Sequence, residues 1–259
     1  MATDNLKVGA TLCLVASMAA LLGTGAARAD TTAIEPEAKQ ILKRMTDYLA
    51  GLESFSLSTD NMIEEVLDTG QKLQYDFAAD IKIQRPDRLR ADRSGDMLEQ
   101  HFIYNGESLM IYNPRDGVFA QTAAPDNLDD LLHFARDTLD IVPPTGDMVF
   151  TNAYELLMAP VTSGGVVGKS MVGGVRCDHL AFRTPLVDWQ IWIADGDEPL
   201  PYKYVLTTMD DPALPQYLVL MSDWNVDPKF DETLFEISRP KGAQEIDFLR
   251  VEADPSSAR

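Results

Sequence analysis

The feature that most constrains the fold is a strict alternation of residue types between Leu73 and Gln84. Apolar residues stand at the odd positions, and polar residues or alanine stand at the even ones. Because successive side chains of a β-strand point to opposite faces, this period of two predicts one long strand with an apolar face and a wet face. A strand of this kind is typical of an antiparallel sheet that is covered on one side.

The same alternation recurs along the chain and is interrupted by helical spacing. A first helix is predicted for Glu37–Leu52, a second for Asp126–Asp140 with Asp126 as its N-cap, and a third from Asp147 to Met158. The strands are predicted at residues 54–58, 73–84, 101–104, 108–112, 118–122, 170–171, 176–183, 189–193, 202–209, 217–223 and 234–237.

This order of elements lacks the strand–helix–strand repeat of a parallel sheet. The sequence therefore predicts one α+β domain over residues 30–259, built on a strongly curved antiparallel sheet of about ten strands. A chain of this length can bury a single apolar core. Residues 252–259 are polar, and we expect this tail to be disordered.

The first 29 residues have the three parts of a cleavable signal peptide. A polar stretch ends at Lys7, an apolar run of about 15 residues follows over Val8–Leu22, and Ala27-Arg28-Ala29 supplies the small residues of a cleavage site. The run is shorter than the roughly 20 residues of a membrane-spanning helix. We expect cleavage after Ala29, a periplasmic location and no stable membrane insertion.

The charge of the chain limits its partners. Lys and Arg number 22 against 41 Asp and Glu, a net charge of −19, and removing residues 1–29 makes it −20. Such an acidic surface repels phosphate backbones, so nucleic acid is not an expected partner. Cys177 is the single cysteine after residue 29, so an internal disulfide is excluded in the exported chain and its apolar core must supply the stability.

Several segments match metal or cofactor motifs only in part. Residues 164–170 (GGVVGKS) lack the first glycine of a phosphate-binding loop, because Ser163 stands there, and they are predicted to form a flexible loop before a strand. His101 and His133 lack the spacing of zinc ligands, and the acidic residues 195–198 lack the pattern of a calcium loop. The sequence predicts neither a metal site nor a cofactor.

The segment Cys177-Asp178-His179 groups three reactive residue types. On a strand, Cys177 and His179 share one face and Asp178 lies on the other. A nucleophile and its base need hydrogen-bond reach and a third group that orients the base, and adjacency in sequence supplies neither. A half-buried cysteine and a hydrogen-bonded histidine are favoured, and a hydrolase-type enzyme that uses these three residues is the alternative.

Arg85 continues the odd-numbered apolar series of the long strand. If it points inward with that series, its guanidinium needs a hydrogen-bond or charge partner, because burying it alone is costly. If the strand has ended before Pro86, Arg85 lies in solvent. The pattern alone leaves both alternatives open.

Two sets of segments resemble known families. Residues 83–87 (IQRPD), 104–114 (YNGESLMIYNP) and 235–242 (FEISRPKG), with the leading helix, resemble the periplasmic lipoprotein carrier LolA. Residues 174–180, 188–193, 200–204 and 222–225 are more similar to a family of predicted periplasmic proteins, domain of unknown function 2092. The chain is identified as a member of this second family, with a fold that resembles LolA and LolB.

The resemblance implies an incomplete, half-open antiparallel β-barrel whose apolar concave face is covered by lid helices, the ones predicted at 126–140 and 37–52. In the carrier, the arginine of the Arg-Pro pair holds the lid closed through hydrogen bonds until an acyl cargo displaces it, and this arginine matches Arg85. The Cys177–His179 and Trp189–Trp192 pieces are not features of the carrier. We expect the ligand-binding residues to be Arg85, Tyr75, Phe77, Ile81, Ile83, Leu131, Leu132 and Trp192.

These observations favour a non-enzymatic periplasmic binding protein or carrier that holds a hydrophobic ligand in the concave face. The expected partner is a hydrophobic small molecule, a lipid or an acylated protein. The alternative outside enzymes is an envelope interaction or regulatory protein, with a filled core and another envelope protein as its partner.

Overall fold

The computed structural model describes residues 33–96, 99–141 and 145–248. The predicted signal peptide, residues 1–29, and the predicted tail, residues 252–259, lie outside this part of the chain. The elements in chain order are α1 Pro36–Gly51, β1 Ser54–Val66, β2 Lys72–Gln84, β3 Arg88–Gly95, β4 Glu99–Tyr104, β5 Ser108–Asn113, β6 Val118–Ala123, α2 Leu128–Leu139, α3 Ala153–Met158, β7 Ser163–Val172, β8 Val175–Arg183, β9 Val187–Ala194, β10 Pro201–Thr208, β11 Gln216–Asn225 and β12 Gln244–Glu245.

The predicted fold class, an α+β domain on a curved antiparallel sheet, is confirmed. The described strands form one sheet of 12 in the order β12-β6-β5-β4-β3-β2-β1-β11-β10-β9-β8-β7, and the sheet does not close. Its neighbouring strands pair antiparallel except β12, which runs parallel to β6. The sheet is therefore an open half-barrel with β7 and β12 at its edges.

The sheet has more than the predicted ten or so strands because the sequence pattern does not predict β3 and β12, and β7 is longer than the two residues, 170–171, that the pattern predicts. β3 (RLRADRSG) is almost entirely polar and gives no clear alternation. The segment at Gly164 is part of strand β7 and not a flexible loop. Packing against β8 explains why glycine stands at this position. A side chain at Gly164 would place its Cβ 2.3 Å from the Phe182 ring, so only glycine lets β7 approach β8 there.

Three other predictions need correction. The strand at 234–237 is a short 3₁₀ turn, Glu232–Phe235, because Asp231 accepts a hydrogen bond from the Thr233 N–H at 2.9 Å and starts the turn. The third helix is divided into a 3₁₀ turn, Gly146–Met148, and α3, because Thr151 between them donates to the Asp129 carboxylate of α2. The N-cap of α2 is Asn127 and not Asp126.

The sheet has an inner face, on which α1 and α2 pack, and an outer face on the opposite side. We call α1 with β7–β11 the packed half and α2 with β1–β6 the open half. In the packed half, α1 lies against β7 and β9, and its apolar stripe is buried in the main core. The main core also contains the inward residues Leu180, Phe182, Trp189, Ile191, Ile193, Tyr204 and Val219.

Candidate ligand-binding cavity

The open half contains a cavity of about 740 Å³ between the inner face of its strands and α2. This volume lies within the range of about 300–1,000 Å³ that is typical of small-molecule sites. The exposed residues Asp116, Asp140, Ile246 and Asp247 are part of the lining, and they mark where the cavity meets solvent. The roof is formed by the buried face of α2, with Leu131, Leu132, Ala135 and Leu139.

The floor of the cavity changes from apolar to polar along the strand direction. One cross-strand row is apolar and passes from Ile81 on β2 through Ala91, Phe102 and Ile111 to Ala120 on β6. The row two residues further along, about 7 Å away at the usual strand rise, carries polar groups. It passes from Thr59 through Ala79 and Arg93 to Gln100. The cavity therefore has an apolar end and a polar end.

The polar end is organised around buried hydrogen bonds from β1 and β11. The Tyr217 hydroxyl donates to the Asn61 side-chain oxygen, and the Asn61 amide nitrogen donates to Thr59 Oγ1 at 2.9 Å. Burial raises the pKa of Tyr217 well above its ordinary value, so the hydroxyl keeps its proton for this bond. The guanidinium of Arg93 lies over the Phe77 ring, with its central carbon 4.3 Å from the ring centroid.

The roof is attached to the sheet by polar contacts near the β2–β3 turn. The Leu128 N–H at the start of α2 donates to the Pro86 carbonyl at 2.9 Å. Arg85 points inward, and its Nη2 donates to the Val149 carbonyl at 2.6 Å, in the segment that follows α2. Burial lowers the pKa of Arg85, and the Asp129 carboxylate nearby partly opposes this shift. Its Nε is buried and has no hydrogen-bond partner among the described residues.

A buried tyrosine supports the same end of the roof from below. The Tyr104 hydroxyl donates to the Pro125 carbonyl, just before α2, at 2.5 Å. Burial raises the pKa of Tyr104 to about 12, so this bond persists over the physiological pH range. The N-terminal end of α2 is thus fixed to the β2–β3 turn and to β4 by hydrogen bonds that backbone carbonyls accept.

Five of the eight residues proposed from the sequence line the cavity: Phe77, Ile81, Ile83, Leu131 and Leu132. Arg85 lies beside the cavity and contacts the roof, as described above. Tyr75 is on the inner face of β2, opposite Ile63 of β1, and is not part of the lining. Its position in the alternating series gives the correct face but does not show where the cavity ends.

Trp192 lies on the outer face of the sheet and not in the cavity. Its ring stacks on His179 with centroids 4.0 Å apart, and the Lys203 ammonium lies 4.6 Å from its ring centroid. In the segment Trp189–Ile193 every residue except Gln190 is apolar, so the alternation does not reveal which tryptophan points inward. The inward residue is Trp189, which stacks on Phe182.

The Cys177-Asp178-His179 group does not form a nucleophile–base arrangement. Burial raises the pKa of Cys177 to about 11, and its Sγ contacts the Val175 carbonyl at 3.6 Å. Nε2 of His179 is paired with the Gln190 side-chain oxygen at 2.9 Å, and burial lowers the pKa of this histidine. Asp178 lies on the opposite face and is paired with Lys169 at 2.7 Å. The three side chains serve packing and pairing of the sheet.

The polar residues of the cavity were not found from the sequence. Arg93 and Gln100 lie on short strands with mixed patterns, and the long alternation of β2 did not extend to them. One sequence signal could have located Arg93. In the segment Leu89-Arg90-Ala91-Asp92-Arg93, apolar residues alternate with charged ones, so Arg93 falls on the same face as Leu89 and Ala91. Among the described residues, no three His, Cys, Asp or Glu side chains are grouped as metal ligands.

Comparison with solved structures found proteins with a similar backbone course and low sequence identity. An uncharacterised conserved protein from Thermus thermophilus is 10% identical, with a TM-score of 0.48, covering 82% of this chain and 99% of the other. The lipoprotein LppX from Mycobacterium tuberculosis is 12% identical, with a TM-score of 0.46, covering 74% and 100%. A LolA superfamily protein from Nitrosomonas europaea is 11% identical, with a TM-score of 0.35, covering 77% and 97%.

The sequence comparisons are more specific. No curated protein matches the chain at a significant level. No helix in the described ranges has the length and apolarity that a membrane span requires. Residues 38–249, well over half of the chain, match the family described as predicted periplasmic protein, DUF2092. The chain therefore belongs to the DUF2092 family of predicted periplasmic proteins.

Proposed function

We propose that this protein is a non-enzymatic periplasmic binding protein or carrier that holds an acyl chain in the cavity of its open half. One observation carries the proposal: the same sheet is filled in one half and keeps about 740 Å³ of roofed space, largely apolar, in the other. A cavity of this size with a few polar groups at one end suits a molecule with a hydrocarbon chain and one polar group.

The expected affinity follows from the apolar area that the cavity removes from water. Each buried methylene contributes about 0.8 kcal/mol, so a chain of about ten methylenes gains roughly 8 kcal/mol before the costs of association. Ordered polar contacts at the headgroup offset part of those costs. We therefore expect dissociation constants in the range of about 1–100 µM for single-chain amphiphiles.

Entry of a ligand requires movement of the roof, because α2 covers the apolar row of the floor. The contact between Arg85 and the Val149 carbonyl holds the segment that follows α2 against the sheet and so keeps the roof closed. In this proposal Arg85 has the lid-holding role that the resemblance to the LolA carrier implies. A ligand that displaces the Val149 segment leaves the Arg85 guanidinium free to contact it.

The proposal is tested by ligand uptake of the purified protein. Organic extraction followed by mass spectrometry is expected to release a co-purifying lipid, and a dansyl-labelled undecanoic acid is expected to bind saturably. Ala135→Trp places an indole in the roof of the cavity and is expected to lower uptake at least about tenfold. Leu186→Trp, at a position 60% exposed in the packed half, is the matched control and should bind like the wild type.

Repeated absence of extractable lipid, together with no saturable uptake by the wild type, would contradict the proposal. That outcome would favour the alternative of an envelope interaction protein without a transported ligand. Uptake that is equal in Ala135→Trp and the wild type would place the acyl site elsewhere on the protein.

A further inference from the structure

The polar end of the cavity contains a cation, Arg93, that has no anionic partner among the described residues. Arg93 lies on the inner face of β3, opposite Ala79 on β2 and Gln100 on β4. Its guanidinium packs on Phe77, and its Nε is shielded from solvent without a hydrogen-bond partner among the described residues. No described carboxylate forms an ion pair with it, whereas Arg90 on the outer face of the same strand is paired with Asp92 at 2.9 Å.

This arrangement is notable because carboxylates are abundant in the chain. Asp and Glu number 41 against 22 Lys and Arg, so a partner for an inward arginine would be easy to supply. A half-buried guanidinium without hydrogen bonds at one of its donors is costly, and such sites are usually completed by a protein group or a ligand. The groups nearest to Arg93 in its row, Ala79 and Gln100, carry no negative charge.

The order of the apolar and polar rows along the strands indicates where the polar headgroup of an amphiphile would lie. The apolar row with Ile81 lies on the side of Arg85 and the α2 N-terminus, and Arg93 lies one repeat further along. The exposed lining residue Asp116 is in the β5–β6 turn, where Arg115 donates to the Gly95 carbonyl, at the end of β3, at 3.0 Å. The polar end therefore has an opening to solvent, and a chain that enters there extends toward the apolar row.

We propose that Arg93 binds the anionic headgroup of the ligand, so that the cavity selects single-chain amphiphiles ending in a carboxylate or a phosphate. The inference rests on the acyl-binding function proposed above and adds the chemical class of the ligand. The planar guanidinium presents paired donors to the two oxygens of such a group, and the Phe77 ring beneath it fixes its plane. The amide of Gln100, the neighbour of Arg93 on β4, adds a neutral donor to the same headgroup.

The test compares headgroups at constant chain length by displacement of the neutral dye Nile red. Laurate and dodecyl phosphate are expected to bind at least about ten times more tightly than methyl laurate and 1-dodecanol, because a charge-assisted contact is lost in the neutral pair. Arg93→Met is expected to bind all four compounds with the affinity of the neutral ones. Arg90→Met removes a cation from the same strand on the outer face and should keep the preference.

The outcomes separate this inference from the function on which it rests. Equal affinity of the wild type for laurate and methyl laurate, or an unchanged preference in Arg93→Met, would overturn the headgroup role while leaving acyl binding intact. Binding of none of the four compounds would instead refute the proposed function. If Arg93→Met does not fold, Arg93→Gln provides the same comparison with a polar side chain. The tighter of the two anions identifies the headgroup.

Discussion

The two halves of the sheet carry an amphipathic helix each, yet only one of them is filled. In the packed half, the inward positions hold large aromatic rings, with Phe182 and Trp189 stacked at 4.3 Å and Tyr204 5.9 Å from Trp189. In the open half, the corresponding floor positions include the alanines Ala79, Ala91 and Ala120. The cavity therefore results from small inward side chains beneath α2, and a covering helix alone does not fill a curved sheet.

The largest expected difference between the halves is the cost of removing one isoleucine. Ile191→Ala, at a position that is 0% exposed in the packed half, is expected to lower the free energy of unfolding by about 2–5 kcal/mol, because it creates a new void. Ile81→Ala only enlarges a cavity that already exists and is expected to cost about 1 kcal/mol. Urea unfolding followed by tryptophan fluorescence measures both, and equal losses would show that the open half is packed in solution.

The second expected effect concerns the thiol of the packed half. Burial raises the pKa of Cys177 to about 11, so at pH 8 its reactive thiolate is about a hundredfold rarer than that of an ordinary cysteine. Alkylation by iodoacetamide is expected to be slower by at least that factor in the native protein than in urea, as measured by mass spectrometry. Rapid native alkylation would show that the outer face of the packed half opens and would revive the enzyme alternative.

A third comparison adds volume to each half. Ala38→Phe, on the buried face of α1 at 0% exposure, is expected to destabilise the protein by about 1–3 kcal/mol because no space exists for the ring. Ala91→Phe adds the same ring to the cavity floor, where space exists, and is expected to change stability by less than about 1 kcal/mol. Thermal unfolding measures the two variants, and a large loss in Ala91→Phe would contradict the described cavity.

The smallest expected effect concerns the start of the roof helix. Asn127→Ala removes the bond from the Asp130 N–H to the Asn127 side-chain oxygen, 2.9 Å long, and is expected to cost about 1 kcal/mol. Asp126→Ala is the matched control with little expected loss, because the one hydrogen bond that Asp126 accepts from a described residue comes from the Asn127 amide and not from a helix N–H. Hydrogen exchange over α2 should rise in the first variant alone. The reverse result would restore the cap predicted from the sequence.

Much of the fold could be predicted because the alternation of apolar and polar residues within one strand shows which of its faces is buried. β2 is the clearest case, since its alternation gave nearly its observed bounds and placed Phe77, Ile81 and Ile83 on the inner face. The ends of helices were harder to predict from the sequence. Asp and Asn are equally favourable N-cap residues, so the sequence does not distinguish Asp126 from Asn127. Where neighbouring residues are all apolar, as around Trp192, the pattern could not assign a face at all.

The sequence by itself determined the fold class, the family and the strand that forms the centre of the cavity floor, because these depend on local periodicity and motif identity. The tertiary structure decided which half is hollow and which side chains meet there. Arg93 on β3, Phe77 on β2 and Gln100 on β4 converge through strand register, which no single segment encodes. Likewise, Arg85 finds the Val149 carbonyl 64 residues away only because the chain folds α2 back over the sheet.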